Sequence, residues 1–209
     1  MNNIVVFFIF SFLLPLSYAI EFDFCVGDPT LPKSPNGYAC KDPANVTIDD
    51  FVFTGFYENK VTTKNKYKSN VILAFADTFP ALNGLGISKL KEEIDVGGVI
   101  PAHTHRTSEI LVVIKGTILI GFIDTNNTAY YKRLKKGEVI VIPPTMIHFQ
   151  VNVGPTPAIA YASFNGANPG IQVVSSALFA SNVPADLIAK TTLLSPQEVK
   201  RMKLIFGSA

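Results

Sequence analysis

Two stretches of the chain decide its fold: GGVIPAHTHRTSEILVVIKG at residues 97–116 and GEVIVIPPTMIHFQVN at residues 137–152. Together they contain all three histidines of the protein and one nearby carboxylate, which are His103, His105, His148 and Glu109. Alternate residues of a strand project to the same face, so His103 and His105 can present both imidazoles to a single ion. His148 must reach that ion from a different strand. The pattern predicts a metal centre in the interior of a β-barrel.

The donor set of this predicted site indicates which metals it would take. Imidazoles and a carboxylate combine borderline and hard ligands, which suit Mn, Fe, Ni, Cu or Zn. Four protein ligands leave open positions for water in an octahedral geometry, which favours Mn or Fe over a structural Zn. The alternative is a surface or hydrogen-bonded histidine pair without a metal, because an isolated His-x-His on a strand is most often of that kind.

Short apolar runs separated by turn signals extend over most of the chain. The turn signals include Asn83-Gly84, Lys115-Gly116 and Gly154-Pro155. The runs that we interpret as strands are residues 71–75, 86–90, 110–114, 117–123, 139–142, 148–153 and 158–164. Many short strands with frequent turns predict an all-β fold, either a sandwich or a barrel.

Helices are predicted only near the C-terminus. Ser195-Pro196-Gln197-Glu198 has the form of a capping box with proline at the first helical position, and a shorter helix is predicted from Asp186 to Lys190. Val199, Met202 and Phe206 follow the capping box at helical spacing. This apolar stripe must be covered either by the chain's own core or by another subunit.

Composition narrows the classes of function. The chain has 209 residues with 48% hydrophobic content, which fits one globular domain with a sizeable core. Its net charge is only +2, from 18 basic and 16 acidic residues, so no strong field would attract nucleic acid or anionic lipid. The sequence has no Gly-x-Ser-x-Gly elbow and no phosphate-binding loop, which argues against nucleophilic catalysis and nucleotide chemistry.

The first 19 residues have the features of a cleaved signal peptide. Residues 4–16 are almost wholly apolar, and Ser17-Tyr18-Ala19 places small residues where a signal peptidase cuts. The apolar run is shorter than the about 20 residues that a membrane anchor needs. We therefore expect secretion without a membrane anchor. Two sequons, at Asn45 and Asn126, could then carry glycans.

The only two cysteines, Cys25 and Cys40, lie close together in a region rich in glycine and proline. In an oxidising compartment we expect them to form a disulfide, worth about 3 kcal/mol through the loop that it closes. The alternative is a pair of free buried thiols. The predicted organisation is a signal peptide at 1–19, an extended arm at 20–60, a β-barrel at 61–180 and a helical segment at 181–209.

The glycines around the histidines make the two stretches resemble the two signature motifs of the cupin superfamily. The first stretch reads Gly97, five residues, His103-Thr104-His105, three residues, Glu109, six residues and Gly116. The second reads Gly137, five residues, Pro143, then His148, three residues and Asn152. Within the cupins the chain is most similar to plant germins and germin-like proteins. The local matches are residues 23–26, 35–41, 79–86, 97–101, 148–152 and 168–170.

This resemblance extends over nearly the whole mature chain and implies its fold, location, assembly and cofactor. It implies a cupin jelly-roll barrel with an N-terminal arm tied by the Cys25–Cys40 disulfide and with C-terminal α-helices. It also implies an apoplastic glycoprotein that assembles as a hexamer, a trimer of dimers, with the terminal helices in the subunit contacts. The cofactor that it implies is Mn²⁺, with the ligands His103, His105, Glu109 and His148.

Departures from the germin pattern qualify the expected activity. The loop at 106–108 is one residue shorter than usual, and Thr145 stands where the second motif normally has a glycine that tolerates positive φ. Germins that oxidise oxalate hold the substrate with two asparagines. Asn83 matches one of them and is our candidate pocket residue, but Ile100 stands at the other position and cannot donate a hydrogen bond to a carboxylate.

Two classes of function therefore compete. A superoxide dismutase requires less of the pocket than an oxalate oxidase does, and we expect this chain not to be an efficient oxalate oxidase. The hydrogen peroxide that a dismutase produces would connect the protein to plant defence or cell-wall remodelling. The rival is a non-enzymatic wall-associated or receptor-like protein that uses the barrel as a scaffold. Two basic runs could contact acidic cell-wall polysaccharide or could be ordinary solvated loops. They are Lys60, Lys64, Lys66 and Lys68, and Lys132, Arg133, Lys135 and Lys136.

Overall fold

A computed structural model describes residues 23–57 and 65–207 of the chain. The predicted signal peptide at 1–19 lies outside these residues, as do Lys60 and Lys64 of the first basic run. Among the helices in the described ranges, none is both long and apolar enough to cross a bilayer.

The described residues form ten strands in two five-stranded sheets, and every pairing within them is antiparallel. The strands are β1 (Ser69–Ala74), β2 (Ser88–Ile94), β3 (Val99–Thr104), β4 (Glu109–Lys115), β5 (Thr117–Ile123), β6 (Ala129–Lys135), β7 (Val139–Ile142), β8 (Ile147–Asn152), β9 (Ala158–Phe164) and β10 (Gln172–Val173). One sheet has the order β1-β2-β9-β4-β7 and the other β10-β3-β8-β5-β6. The predicted all-β barrel is confirmed.

The core lies between the two sheets because each strand turns alternate residues inward. Leu111 and Val113 of β4 and Ile118 and Ile120 of β5 are fully buried and belong to one hydrophobic cluster with residues of both sheets. Gly116 lets β4 turn directly into β5: its φ is +82°, and a Cβ there would lie 2.8 Å from Ala158.

The arm before the barrel is irregular and includes three short 3₁₀ helices, Pro43–Asn45, Ile48–Phe51 and Gly55–Tyr57. A disulfide joins Cys25 and Cys40, which confirms the predicted pairing and excludes the free thiols. The sequon residues Asn45, in this arm, and Asn126, in the turn after β5, are both exposed. Their glycosylation stays a prediction.

Three α-helices follow the barrel: α1 (Val174–Phe179), α2 (Ala185–Thr192) and α3 (Pro196–Phe206). The predicted capping box forms at the start of α3, where the Ser195 N–H donates to Glu198 Oε2 at 2.8 Å and the Glu198 N–H donates to Ser195 Oγ at 3.2 Å. Val199 is fully buried against Phe179 and Ile188. The apolar stripe of α3 is thus covered by the neighbouring helices of the same chain.

Candidate metal centre

The structure brings together the four residues that the sequence singled out. His103 lies in β3, His105 just beyond its end, Glu109 at the start of β4, and His148 in β8 directly opposite His103 in the ladder. One ligand atom from each of the four side chains lies within 4.8 Å of the others. All four side chains are buried. Residues 106–108 form the turn that carries the chain from the second histidine back to Glu109.

Backbone carbonyls fix the orientation of each imidazole. His103 Nδ1 lies 2.8 Å from the Pro101 carbonyl oxygen, and His148 Nδ1 lies 2.9 Å from that of Met146. The acceptor for His105 Nδ1 is the Gly170 carbonyl oxygen. Because a carbonyl oxygen can only accept, each Nδ1 must carry the proton and donate it. Each Nε2 is then a bare lone pair, which is the form that binds metals.

The unprotonated Nε2 atoms and the carboxylate converge without donors between them. His103 Nε2 and His105 Nε2 are 3.1 Å apart, and Glu109 Oε2 lies 3.0 Å from His148 Nε2. Despite that distance, Glu109 Oε2 and His148 Nε2 have no hydrogen-bond partner among the described residues. Four acceptors cannot satisfy one another, so their buried juxtaposition calls for a cation. The residues present therefore fit a divalent metal with nitrogen and oxygen ligands.

Burial also holds His103 and His105 in the neutral form. Desolvation lowers the pKa of His103 to about 3, and the neighbouring His148 and His105 imidazoles add to that effect. Desolvation lowers the pKa of His105 as well. Protons would therefore compete weakly for these two imidazoles at neutral or mildly acidic pH.

A cavity of about 490 Å³ borders the centre at His105, which is one of its lining residues. Arg106, Thr145, Gly170 and Gln172 are among the residues that line it. Thr145 has φ +66°, the left-handed conformation that the germin pattern assigns to a glycine, and its N–H donates to the His105 carbonyl oxygen at 3.0 Å. The turn is therefore kept with threonine in place of glycine, at a cost in backbone strain.

Asn83 lies apart from the four clustered residues. Its Oδ1 accepts from the Tyr38 N–H at 3.0 Å, while its Nδ2 donates to the Tyr38 carbonyl oxygen at 3.0 Å and contacts Cys25 Sγ at 3.2 Å. The amide thus attaches the disulfide-tied arm to the barrel. A role for Asn83 in a substrate pocket stays a prediction.

Sequence reasoning missed further buried polar side chains in the barrel, among them Glu92 and Gln150. Glu92, in β2, is only 2% exposed, and Gln150, in β8, is fully buried. Glu92 Oε2 and both amide atoms of Gln150 lack hydrogen-bond partners within the part of the chain that the structure describes. Burial raises the pKa of the Glu92 carboxyl well above its usual value of 4.5, and the charge of Glu109 raises it further. The only sequence signal for the burial of Glu92 is that it alternates with the apolar residues Leu90 and Ile94 along β2.

Known proteins similar to this chain include cupins. The cupin family matches residues 56–200. Auxin-binding protein ABP19b of Prunus persica is 49% identical over 203 residues, which cover 97% of each chain. Germin-like protein subfamily 3 member 3 of Arabidopsis thaliana is 46% identical over 205 residues, which cover 98% of this chain and 97% of the relative. A solved oxalate oxidase in complex with the substrate analogue glycolate has a TM-score of 0.85 and 32% identity, over 90% of this chain and 97% of that one.

Proposed function

Because this chain belongs to the cupin family and, within it, to the germin-like proteins, we propose that it is a secreted apoplastic manganese protein with superoxide dismutase activity. The observation that supports a metal is the convergence of His103, His105, Glu109 and His148 on one buried point. The mixed imidazole and carboxylate donors favour manganese or iron, and the germin resemblance favours manganese.

The chain's own residues do two things for this reaction. The carbonyls of Pro101, Met146 and Gly170 hold the imidazoles with their lone pairs inward, and Glu109 supplies the negative charge that balances a divalent cation. His103, His105, Glu109 and His148 would hold a manganese ion, which when bound would supply the one-electron oxidation and reduction that superoxide dismutation needs. Two superoxide anions and two protons thereby yield dioxygen and hydrogen peroxide. The reaction needs no side chain that binds an organic substrate.

The test is metal loading and activity measured on one preparation. The purified secreted protein should contain manganese and remove superoxide in the presence of cyanide, above the rate of the same concentration of free Mn²⁺. His148→Ala should lose both the metal and the activity, while Lys132→Ala, at an exposed position on β6, should keep both. A fully metal-loaded protein without activity above free Mn²⁺ would remove the dismutase proposal and leave the metal site.

Efficient oxalate oxidation is not part of this proposal, although an oxalate oxidase has a similar fold. Ile100 is 3% exposed and packs in the hydrophobic cluster of the barrel, so it offers an anionic substrate no hydrogen bond. The Asn83 amide is engaged by the arm. We expect the manganese-loaded protein to produce no hydrogen peroxide from oxalate in an assay in which a germin oxalate oxidase is active.

The proposed assembly is a hexamer, a trimer of dimers. Exposed apolar side chains support subunit contacts: Ile110 and Val141 lie opposite each other on β4 and β7 and are 48% and 57% exposed, and Leu204 of α3 is 74% exposed. Light scattering coupled to size-exclusion chromatography should give about six times the mass of one chain. A monodisperse monomer would contradict this assembly.

The second candidate function is a receptor-like binding protein, because relatives with nearly half of their residues identical are named auxin-binding proteins. A cavity of about 340 Å³ between the arm and the barrel supports it. Phe53, Phe56, Phe79 and Phe164 line this cavity with Lys89, which suits a small aromatic molecule with an anionic group. Equilibrium dialysis with indole-3-acetic acid should show binding that Lys89→Ala weakens and His148→Ala leaves unchanged.

Binding to acidic cell-wall polysaccharide is a second form of this candidate. Lys132, Arg133, Lys135 and Lys136 are exposed on and just after β6, an edge strand of its sheet, so the second basic run is not a loop as expected. Retention on pectin that falls with salt and survives His105→Ala would support binding without catalysis. Retention that is lost together with the metal would favour the enzyme.

A further inference from the structure

Asp77 links the N-terminal arm to the loop that holds one of the candidate metal ligands. It lies three residues after β1, and its carboxylate faces both segments. On the arm side, Tyr38 Oη donates to Asp77 Oδ1 at 2.7 Å and Lys33 Nζ forms an ion pair with the same oxygen. On the loop side, Asn168 Nδ2 donates to Asp77 Oδ2 at 2.8 Å. One carboxylate therefore joins three donors from two distant parts of the sequence.

The arm is well placed to act as a fixed support for this carboxylate. The Cys25–Cys40 disulfide closes it, and Asn83 hydrogen-bonds both backbone groups of Tyr38. The Gly27 N–H also donates to the Pro80 carbonyl oxygen at 2.9 Å. Tyr38 is therefore anchored at its backbone while its hydroxyl holds Asp77.

The loop at residues 167–170 carries this support to His105. The Ala167 carbonyl oxygen accepts from the Ala76 N–H at 2.8 Å, next to Asp77. The Pro169 carbonyl oxygen accepts from the Arg106 N–H at 3.0 Å, and the Gly170 carbonyl oxygen is the acceptor for His105 Nδ1. This last hydrogen bond aims His105 Nε2 at the site. By contrast, His103 and His148 each donate to the carbonyl of the residue two positions earlier in the chain.

We propose that Asp77 is a positioning residue of the metal centre: by joining the disulfide-tied arm to the 167–170 loop, it fixes the carbonyl that orients His105. The proposal rests on the proposed metal-binding function and specifies which part of the chain controls its affinity. Loss of the Asp77 carboxylate frees the loop and lets the His105 imidazole rotate away from its ligating orientation. The other two imidazoles keep their acceptors.

The first experiment measures Mn²⁺ affinity of the full chain by titration of chelator-treated protein. Asp77→Asn should raise the dissociation constant about tenfold, the low end of the range for residues that orient metal ligands, because Asp77 acts through one more residue. Asn168→Ala should do the same. Glu138→Gln is the matched control, since Glu138 is also a carboxylate that accepts from a lysine (Lys132) and from a backbone N–H (Lys135) but lies on the β6–β7 hairpin.

The second experiment reads the hydrogen bond itself in metal-free protein. With histidine-selective ¹⁵N labelling, the Nδ1 proton of His105 should exchange faster with solvent in Asp77→Asn, while those of His103 and His148 stay unchanged. A similar increase at all three histidines would indicate general destabilisation and overturn the proposal. If Asp77→Asn fails to fold, Tyr38→Phe, which removes a single donor to Asp77, should give the same pattern with a smaller amplitude.

The two experiments separate the failure of this inference from the failure of the proposed function. A wild-type protein that binds no Mn²⁺ would refute the function, and the exchange pattern of His105 would still decide the role of Asp77. A wild-type protein that binds Mn²⁺, with unchanged affinity and unchanged exchange in Asp77→Asn, would refute the inference and leave the function standing.

Discussion

Replacing Glu92 with glutamine should remove a pH-dependent cost to the stability of the barrel. Glu92 lies on the inward face of β2 between Leu90 and Ile94, opposite Ala160 of β9, and all three of these neighbours are core residues. Burial raises the pKa of its carboxyl well above 4.5 in the folded protein, whereas the unfolded chain leaves the carboxyl in water. The folded state therefore keeps a proton that the unfolded state releases.

The sign and size of the effect follow from this difference in bound protons. Below pH 4.5 both states hold the proton, and Glu92 adds no pH dependence. Above pH 4.5 the unfolded state loses it first, so the free energy of unfolding falls by up to about 1.4 kcal/mol for each pH unit until the folded-state pKa is reached. Glu92→Gln has no such proton to lose. The difference in stability between variant and wild type should grow with pH at that slope.

The assay is urea unfolding of metal-free protein, followed by circular dichroism at half-unit steps of pH upward from 4.5. Glu138→Gln is the control of opposite sign, because hydrogen bonds from Lys135 and Lys132 lower the pKa of the exposed Glu138 carboxyl. Glu138 therefore contributes stability that is fully present above its unfolded-state pKa of 4.5, so Glu138→Gln should be less stable than wild type by a difference that does not change with pH above 4.5. Parallel curves for wild type and Glu92→Gln would refute the assignment of Glu92 as a buried neutral acid.

Three further changes test other parts of the structure. His103 has a folded-state pKa of about 3, against 6.5 in the unfolded chain. As the pH falls from 6.5, the free energy of unfolding of the metal-free wild type should therefore decrease by up to about 1.4 kcal/mol per pH unit. In urea unfolding, His103→Asn should show a smaller decrease. Thr145→Gly should raise the melting temperature, because it relieves up to about 1 kcal/mol of backbone strain. The increase should be larger than that of Leu193→Gly, a second position with positive φ. A lower melting temperature for Thr145→Gly would contradict this. Replacing Cys25 and Cys40 together with serine should reduce the free energy of unfolding by about 3 kcal/mol, and an unchanged denaturant midpoint would show that the arm is held without the disulfide.

The apolar strands of the barrel could be read from the sequence, but the polar and irregular ones could not. The runs at 117–123, 139–142 and 158–164 are the strands β5, β7 and β9, because buried strands are continuous or alternating apolar segments between turns. In β6, Leu134 is the one buried residue, so the strand looks like a charged loop in the sequence. In β3, the ladder shifts between Ile100 and His103, around Pro101, which lacks the N–H that a regular ladder needs.

The sequence could predict which side chains form the candidate site, but not the backbone groups that orient them. The spacing of His103, His105 and Glu109 and the distant His148 indicated the cluster that the structure brings together. The carbonyls that orient the imidazoles carry no such signal, since any residue supplies a carbonyl and Gly170 lies 65 residues from His105 in the sequence. Asp77 was missed for the same reason, because its role depends on contacts between segments that only the folded chain brings together.

The most direct test of the metal centre is elemental analysis of the protein, purified without added metal and without chelators. Coordination by His103, His105, Glu109 and His148 predicts about one manganese ion per chain, and about none in a His105→Ala, His148→Ala double variant that elutes like the wild type. Wild-type protein with no stoichiometric transition metal, or with an equal content in the double variant, would contradict the account.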